Sequence, residues 1–283
     1  MSQATFPLKK NAMKSSEQNG RTRQPRRWLR WVTVLLLLYF VPVGYNMAAY
    51  YADPNRHASW WSLSRDSSAQ APDLMETEDA IIQVYAARAV RWRGTLGVHT
   101  WIATRRSDEA YYQRLEVMGY ALRWGNESVQ IRQGDPDRYW YGNRPELLRE
   151  IRGGEEVDRL IDRIHRAATE YPHNHRYNVW PGPNSNTFIA HLARKVPELA
   201  LEMPSTAIGK DYLPEGGFFQ KPPSGSGLQL SLNGLFGLVL APEEGIELNI
   251  LGLTAGVDFS PLALKLPGIG RIGYPDLERK FLP

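Results

Sequence analysis

A stretch of 22 residues without a charged side chain, from Trp31 to Ala52, constrains this chain more than any other feature. As a helix the stretch would be about 33 Å long, close to the thickness of the hydrocarbon core of a bilayer. Aromatic residues such as Trp31 and Tyr51 stand at its two ends, as they do at membrane–water interfaces. Residues 31–52 are therefore predicted to form a transmembrane anchor.

The charges that flank this stretch predict its orientation. The first 52 residues carry a net charge of +7, and the remaining residues carry −3. Because positively charged flanks stay on the cytoplasmic side, residues 1–30 are predicted to be a cytoplasmic tail of an inner-membrane protein, with the globular part in the periplasm. A cleavable signal peptide is the alternative. No clean small-x-small cleavage site follows the stretch, because Tyr50 and Tyr51 interrupt the alanines.

Composition excludes several classes of function for the exported part. A slightly acidic domain lacks the basic surface that nucleic acid requires, so no nucleic acid is predicted as a partner. The chain has no cysteine, which excludes disulfides, thiolate metal sites and a cysteine nucleophile. The "GIGRIG" stretch at Gly268–Gly273 has no room for the helix of a dinucleotide site, and no metal-ligand spacing occurs. Neither a cofactor nor a metal is predicted.

The order of strand-like and helix-like segments along the chain predicts the fold. Residues 53–77 are rich in Ser, Ala, Asp and Pro without periodicity, and are assigned to a tether before a globular domain at 78–283. That domain begins with stretches typical of strands, continues with helical periodicity, and ends in a Gly/Pro-rich part where Leu228, Leu230 and Leu232 alternate with polar residues. Strands, then helices, then strands indicate an α+β fold with a mainly antiparallel sheet and a helical middle section.

Three local predictions follow from shorter patterns. "PELLREI", from Pro145, has proline at a first-turn position and is assigned to a helix. "GEEVDRLIDRIHRAATEY", from Gly154, has its apolar residues on one helical face. "RRSDEA" is assigned to the turn of a hairpin, which would place His99 almost opposite Glu116 or Val117.

The stretch "WPGPNSNTF", Trp180 to Phe188, is compatible with two roles at a helix N-terminus. Ser185 or Asn186 would cap the helix by accepting hydrogen bonds from its first N–H groups. Alternatively, Ser185 would be a nucleophile, with the same N–H groups stabilising an oxyanion. Catalysis also requires a base, for which His99 is the candidate, with Glu116 to orient it.

Two further sets of polar residues are candidate binding residues. Asn184, Asn186 and Thr187 surround the serine and could contact a ligand. Lys210 and Asp211, in "AIGKDYLP", are interpreted either as a local ion pair or as residues that line a pocket.

Several stretches together resemble a known family. They are "VYAARAVRWRG", "VHTWIATR", "WPGPNSNTF", "AIGKDYLP", "PPSGSGLQLSL", "EGIELNILGL" and "LALKLPGIGRIG". From about Gln83 to Gly273 the chain is similar to a bacterial family of domains of unknown function, number 3750 in its series. This resemblance implies no particular chemistry.

A second, more distant similarity is to circularly permuted papain-like proteins of the NlpC and lecithin-retinol-acyltransferase types. Those proteins have a histidine early on a strand and an Asn-Cys-x-x-Phe motif at the start of a later helix. Here "HTWIA" supplies His99, and "NSNTF" aligns Asn184 and Phe188 with that motif. Ser185 stands where the nucleophilic cysteine would be. The resemblance therefore implies a hydrolase-like fold, and the missing cysteine is typical of lineages that have lost catalysis.

Two functions remain open from the sequence. The first is a membrane-anchored envelope protein with a non-catalytic binding or scaffolding domain on a hydrolase-like fold. The alternative is a serine-dependent amidase, esterase or acyl transferase that acts on cell-wall peptide or lipid. The membrane and a cell-wall or lipid ligand are the predicted partners, and nothing in the sequence identifies a protein partner.

Overall fold

The structure is a computed structural model that describes residues 27–75 and 77–274 of the 283-residue chain. The chain divides into two units, residues 1–36 and 37–283. Helix α1 spans Arg27–Ala52, and within the described residues it is the one helix long and apolar enough to cross a membrane, over Trp28–Ala52. Residues 1–26 of the predicted basic tail lie outside the described residues.

The first sheet has five antiparallel strands in the order β4-β3-β2-β1-β5. The strands are β1 (Ala80–Arg88), β2 (Val98–Arg105), β3 (Gln113–Val117), β4 (Val129–Gln133) and β5 (Glu146–Gly153). Branched and aromatic residues such as those of "AIIQVY" suit a pleated, buried surface, and β1 is buried over nearly its whole length.

The two faces of this sheet are covered differently. Helices α2 (Glu155–Thr169) and α3 (Ser185–Lys195) pack on one face, where Ile82, Ile102 and Leu115 meet Ile161 and Phe188 in the main core. The opposite face carries a smaller aromatic core, consisting of Tyr85, Ala87, Trp101, Met118, Ala121 and Trp140. Because side chains alternate along a strand, residues 98, 100 and 102 of β2 face the helices, while 99 and 101 face the aromatic core.

The second sheet is an antiparallel meander of seven strands in chain order. Its strands are β6 (Phe219–Gln220), β7 (Leu228–Leu232), β8 (Phe236–Ala241), β9 (Gly245–Ile250), β10 (Leu253–Phe259), β11 (Leu262–Leu266) and β12 (Gly270–Gly273). Short loops join the longer strands, and both residues of the β9–β10 loop, Leu251 and Gly252, have positive φ (54° and 78°). Positive φ at both positions is the conformation of a type I′ hairpin turn.

The α+β prediction is confirmed, with antiparallel strands on both sides of a helical section. There are two sheets where one was expected. The assignment of "PELLREI" to a helix is wrong. It forms β5, because this segment pairs with β1, as in Ile82 opposite Ile151, and that long-range pairing overrides the local proline signal.

Part of the predicted tether is attached to the domain. Ser67 forms an isolated β-bridge with Arg138. The Asp137 carboxylate accepts hydrogen bonds from Ser67 Oγ (2.8 Å) and from the backbone N–H of Gln70 (2.6 Å). Residues around Ser67 therefore pack beside the aromatic core rather than forming a free linker.

Candidate functional site

A cleft of roughly 950 Å³ opens at the end of the first sheet, where β2 begins. It contains the predicted residues His99, Asn184, Ser185 and Asn186. The rest of its lining is aromatic, cationic or apolar, and includes Trp60, Arg91, Arg93, Tyr120, Arg123, Trp140, Tyr141 and Tyr177. This cleft is the candidate functional site because it combines the predicted residues with a large accessible volume.

The cap of helix α3 is Asn184, and not Ser185 or Asn186 as predicted. The Asn184 Oδ1 atom accepts hydrogen bonds from the backbone N–H groups of Asn186 (2.9 Å) and Thr187 (3.1 Å), and Thr187 Oγ1 accepts from the Asn184 N–H to complete a capping box. The extended backbone of Asn184 allows this geometry, so the helix begins one residue later, at Ser185.

The polar side chains around Ser185 are engaged inside the protein. Asn186 Nδ2 donates to the carbonyls of Val98 (3.0 Å) and Ile208 (2.8 Å), and its Oδ1 accepts from Thr100 Oγ1 (2.9 Å). Thr187 Oγ1 donates to Gly209 O (2.8 Å). These bonds fasten the start of α3 to strand β2 and to the loop at residue 208. They give Asn184, Asn186 and Thr187 a positioning role, and contact of these residues with a ligand stays a prediction.

Strand alternation separates the two proposed catalytic residues. Thr100, not His99, points from β2 toward the N-terminus of α3, with its hydroxyl at Asn186. His99 lies on the other face of the sheet, stacked on Trp140 with ring centroids 3.6 Å apart and planes at 7°. Within the described residues no hydrogen bond joins Ser185 Oγ to His99, although both residues line the cleft. The papain-like similarity therefore stays a prediction, with His99 and the start of α3 on opposite faces of the first sheet.

His99 belongs to a buried charged cluster. Its Nε2 lies 3.4 Å from Glu116 Oε2, and Glu116 also accepts hydrogen bonds from Arg114 Nε (3.0 Å) and Arg138 Nη2 (2.9 Å). In the register of β2 and β3, Glu116 lies opposite Trp101, two residues along the strand from His99. Glu116 and His99 are therefore diagonal neighbours on the same face of the sheet. The structure thus brings His99 and Glu116 together.

The environment fixes the ionisation of this cluster. Burial lowers the pKa of His99, and Arg138 and Arg114 lower it further against the opposing effect of Glu116. Burial alone would raise the pKa of Glu116, but the hydrogen bond with His99 and the charges of Arg138 and Arg114 hold it at about 2. His99 is therefore neutral near pH 7, and its Nε2–H donates to an ionised Glu116.

Arginines and aromatic rings give the cleft its chemical character. Arg91, Arg93 and Arg123 are exposed at its rim, and in the described part of the chain none of the three forms an ion pair. The same lining, so far as the structure describes it, contains neither Asp nor Glu. Arg91 and Tyr141 adopt positive φ (59° and 49°), a costly backbone conformation for such residues that is often found at binding sites.

Lys210 and Asp211 lie outside this cleft, in a buried network under the second sheet. Lys210 is 2% exposed, and its ammonium group contacts Glu247 and lies 3.7 Å from Asp211 Oδ1. Asp211 accepts from Gln229 Nε2 (2.6 Å) and Asn249 Nδ2 (2.7 Å). The local ion pair is present and buried, and a role of the two residues in binding stays a prediction.

A second cavity of about 500 Å³ lies between the two sheets. Its charged lining is mostly paired internally. Lys265 bonds Glu202 (2.5 Å), Arg271 bonds Asp258 (3.1 Å), and Arg88 donates to the Ile269 carbonyl (2.9 Å). In the described ranges no group of three or more His, Cys, Asp or Glu side chains could hold a metal ion.

Sequence reasoning missed the partners that define the site. Trp140, Arg114 and Arg138 surround His99, and three rim arginines line the cleft. The alternation in "VHTWIA" could have shown that His99 shares a face with Trp101 and not with Thr100. The cleft residues in loops carry no periodic sequence signal. Their positions depend on contacts with chain segments that are distant in sequence.

Fold and site together define a two-sheet α+β domain with a basic, aromatic cleft beside a capped helix N-terminus. Residues 79–212 match the family described as "Protein of unknown function (DUF3750)", which supports the resemblance of the chain to that family. The match covers the first sheet, α2, α3 and most of the cleft, and ends before the second sheet, whereas the resemblance was expected to extend to Gly273. No curated protein and no solved structure matches the chain.

Proposed function

We propose that this protein is a membrane-anchored bacterial envelope protein whose domain binds an anionic lipid or cell-wall fragment in the cleft without catalysis. Helix α1 supplies the anchor, and the charge difference across it orients the cleft toward the periplasm. The observation that carries the proposal is the set of three rim arginines without ion-pair partners in the described residues, next to aromatic rings.

Arginine and aromatic side chains match this ligand class. A guanidinium group binds phosphate or carboxylate with two parallel hydrogen bonds, and such charge-assisted bonds contribute about 1.5–3 kcal/mol each. The exposed Tyr120 and the partly exposed Tyr141 and Tyr177 offer apolar surface for a sugar ring or acyl chain. No Asp or Glu occurs among the described lining residues, so the charged side chains that line the cleft attract an anion.

Catalysis by Ser185 is the less favoured function. Its oxygen is at a helix N-terminus, but its proposed base is stacked on Trp140 across the sheet. In addition, Glu116 is fully used by two arginines and His99. A serine-directed fluorophosphonate is therefore expected to leave the protein unlabelled. A stable adduct at Ser185 that disappears in His99→Ala would establish the hydrolase instead.

Binding is tested with the full chain in nanodiscs of phosphatidylcholine. Short-chain phosphatidylglycerol, short-chain phosphatidylcholine and an anionic muropeptide are added, and the fluorescence of the cleft tryptophans is recorded. The anionic probes are expected to bind, and the triple variant R91Q/R93Q/R123Q is expected to weaken binding by at least about tenfold. Arg159→Gln, an exposed arginine on α2, is the matched control. Equal binding of neutral and anionic probes, or equal loss in the control, would refute the proposal.

The anchor and its orientation need a separate experiment. The full-length protein is expected to require detergent for extraction, and a phosphatase reporter after Pro283 is expected to be active in the periplasm. A mature N-terminus near Ala52 would instead show a cleaved signal peptide.

A further inference from the structure

The two faces of the second sheet have the reverse of the usual polarity. Toward the protein it buries polar and charged residues, which include Gln229, Ser231, Glu247, Asn249, Thr254, Asp258 and Lys265. Toward the outside it presents apolar residues only. They are Phe219, Leu228, Leu230, Leu232, Phe236, Leu238, Leu240, Ile246, Leu248, Ile250, Leu253, Ala255, Val257, Phe259, Leu262, Leu264 and Ile272, and we call this surface the outer face.

Strand pairing makes the outer face continuous. One row crosses six strands, from Leu228 through Leu240, Ile246, Val257, Leu264 and Ile272, without a polar side chain. Twelve of the apolar residues are between 38% and 66% exposed. Since a half-exposed large apolar side chain presents roughly 80 Å² or more, the outer face is on the order of 1,000 Å², beyond the largest patch of a typical soluble monomer.

The buried charges show that this polarity is built into the sheet. A one-residue shift in register would turn the leucines inward, but it would also expose a complete ion-pair network. Lys265 bonds Glu247 (2.8 Å) and Glu202 (2.5 Å), and Asp258 bonds Arg271 (3.1 Å). Burial of these groups is tolerated because they are paired, so the apolar side of the strands is committed to the outside.

The tip of the β9–β10 hairpin is also adapted to an apolar environment. Its turn places Leu251 at φ 54°, where Asn, Asp or Gly is the common choice, and the leucine is half exposed. The hydroxyl of Tyr39, in α1, lies 2.6 Å from the Ile250 carbonyl, contacts the Leu253 carbonyl, and accepts from the Ile250 N–H (3.2 Å). The Tyr39 hydroxyl thus hydrogen-bonds backbone groups of the residues on either side of the turn, as polar groups placed in hydrocarbon require.

The position of Tyr39 along α1 gives the depth of the β9–β10 hairpin tip in the bilayer. It precedes the end of α1 at Ala52 by 13 residues, which corresponds to about 20 Å of helix. If α1 spans the bilayer, the hairpin tip lies well below the end of the span, at the level of the acyl chains. We propose that the outer face is a second membrane contact, immersed in the acyl-chain region of the bilayer beside the anchor. This proposal rests on the anchor proposed above.

The absence of cysteine allows a direct test in the full chain. Single-cysteine variants Leu248→Cys and Leu264→Cys place a nitrobenzoxadiazole label on the outer face. Leu37→Cys reports on the anchor, and Arg159→Cys on α2 is the aqueous control. Each protein is reconstituted into phosphatidylcholine–phosphatidylglycerol vesicles that contain lipids spin-labelled on the acyl chain. Labels at Leu248 and Leu264 are expected to lose roughly half of their emission or more, because the quencher is confined to the hydrocarbon core, while the control label keeps its emission.

The outcomes separate the two proposals. Quenching at Leu37 without quenching at Leu248 and Leu264 would overturn the membrane contact of the sheet and leave the anchor intact. Quenching at the sheet without quenching at Leu37 would support the contact and overturn the anchor. If Leu248→Cys is shielded from lipid and from aqueous iodide but crosslinks to a second copy, the outer face is a dimer interface and the proposal is wrong.

Discussion

Asn184→Asp tests whether the helix cap at the cleft does more than cap. Asparagine and aspartate are equally good N-caps, and a negative charge at a helix N-terminus adds about 0.3–1 kcal/mol. Capping alone therefore predicts no loss of stability. The structure predicts a loss of stability, because the amide nitrogen of Asn184 also forms hydrogen bonds. Asn184 Nδ2 donates to the carbonyls of Val179 (3.1 Å) and Ile208 (3.0 Å), and aspartate has no hydrogen to donate.

The expected cost in stability depends on which hydrogen bonds the carbonyls of Val179 and Ile208 retain in the variant. Ile208 O retains the hydrogen bond from Asn186 Nδ2 (2.8 Å) but would face a carboxylate oxygen. Val179 O would lose the donor it has, at a cost of about 1–3 kcal/mol. With repulsion at Ile208 added and the dipole gain subtracted, we expect Asn184→Asp to cost about 1–4 kcal/mol.

Thermal unfolding of the full chain in mild detergent, followed by circular dichroism, measures this cost. The expected loss corresponds to a Tm lower by roughly 3–12 °C. Ser185→Ala is the matched control, because Ser185 Oγ makes no hydrogen bond within the described residues, and its Tm is expected to stay within about 2 °C. An unchanged or higher Tm for Asn184→Asp would show that the amide donors do not hold the two carbonyls.

Three further changes test the buried charges. Glu247→Gln removes the anion between two buried lysines and is expected to cost about 3–5 kcal/mol in urea unfolding, against at most about 0.5 kcal/mol for the surface pair in Glu155→Gln. Burial raises the pKa of Glu244 from 4.5 to about 7, so the folded protein favours the neutral carboxyl and loses this contribution to stability as the pH rises through 7. Glu244→Gln is therefore expected to have a higher Tm than wild type at pH 8 but not at pH 4. The pKa of Glu116 is about 2 in the folded protein, so the stability that its carboxylate contributes is complete above pH 4.5 and is lost as the pH falls toward 2. Glu116→Gln is therefore expected to be less stable than wild type at pH 7, and its Tm is expected to change less with pH below 4.5.

Local patterns were sufficient for elements whose signals are local. The helical spacing of α2 and the alternation of β7 predicted both elements, because each periodicity comes from the element's own geometry. β5 could not be predicted in this way, since it pairs with residues of β1 that lie 60 or more positions earlier in the chain. The cap was misplaced by one or two residues, because Asn184, Ser185 and Asn186 are all good capping residues and the backbone conformation decides among them.

The faces of the strands were harder to predict than the strands themselves. A period of two shows that Leu228 and Gln229 lie on opposite faces, but it does not show which face is inside. In the second sheet the ordinary assumption fails, because paired charges occupy the interior. For the same reason His99 could be placed on β2 but not on the side of the sheet away from Ser185. The contact partners that decide these questions are distant in sequence.

The hydrogen bonds between Tyr39 and the β9–β10 hairpin also have a consequence in time. The tyrosine and Ile250 are separated by 211 positions in the chain. A ribosome that adds 5–20 residues per second reaches the hairpin about 10–40 s after it has finished the helix. During that interval the helix is already made while the strands that will hold it do not yet exist. Until the hairpin is synthesised, the tyrosine hydroxyl must find another hydrogen-bond partner, because an unsatisfied polar group is costly in hydrocarbon.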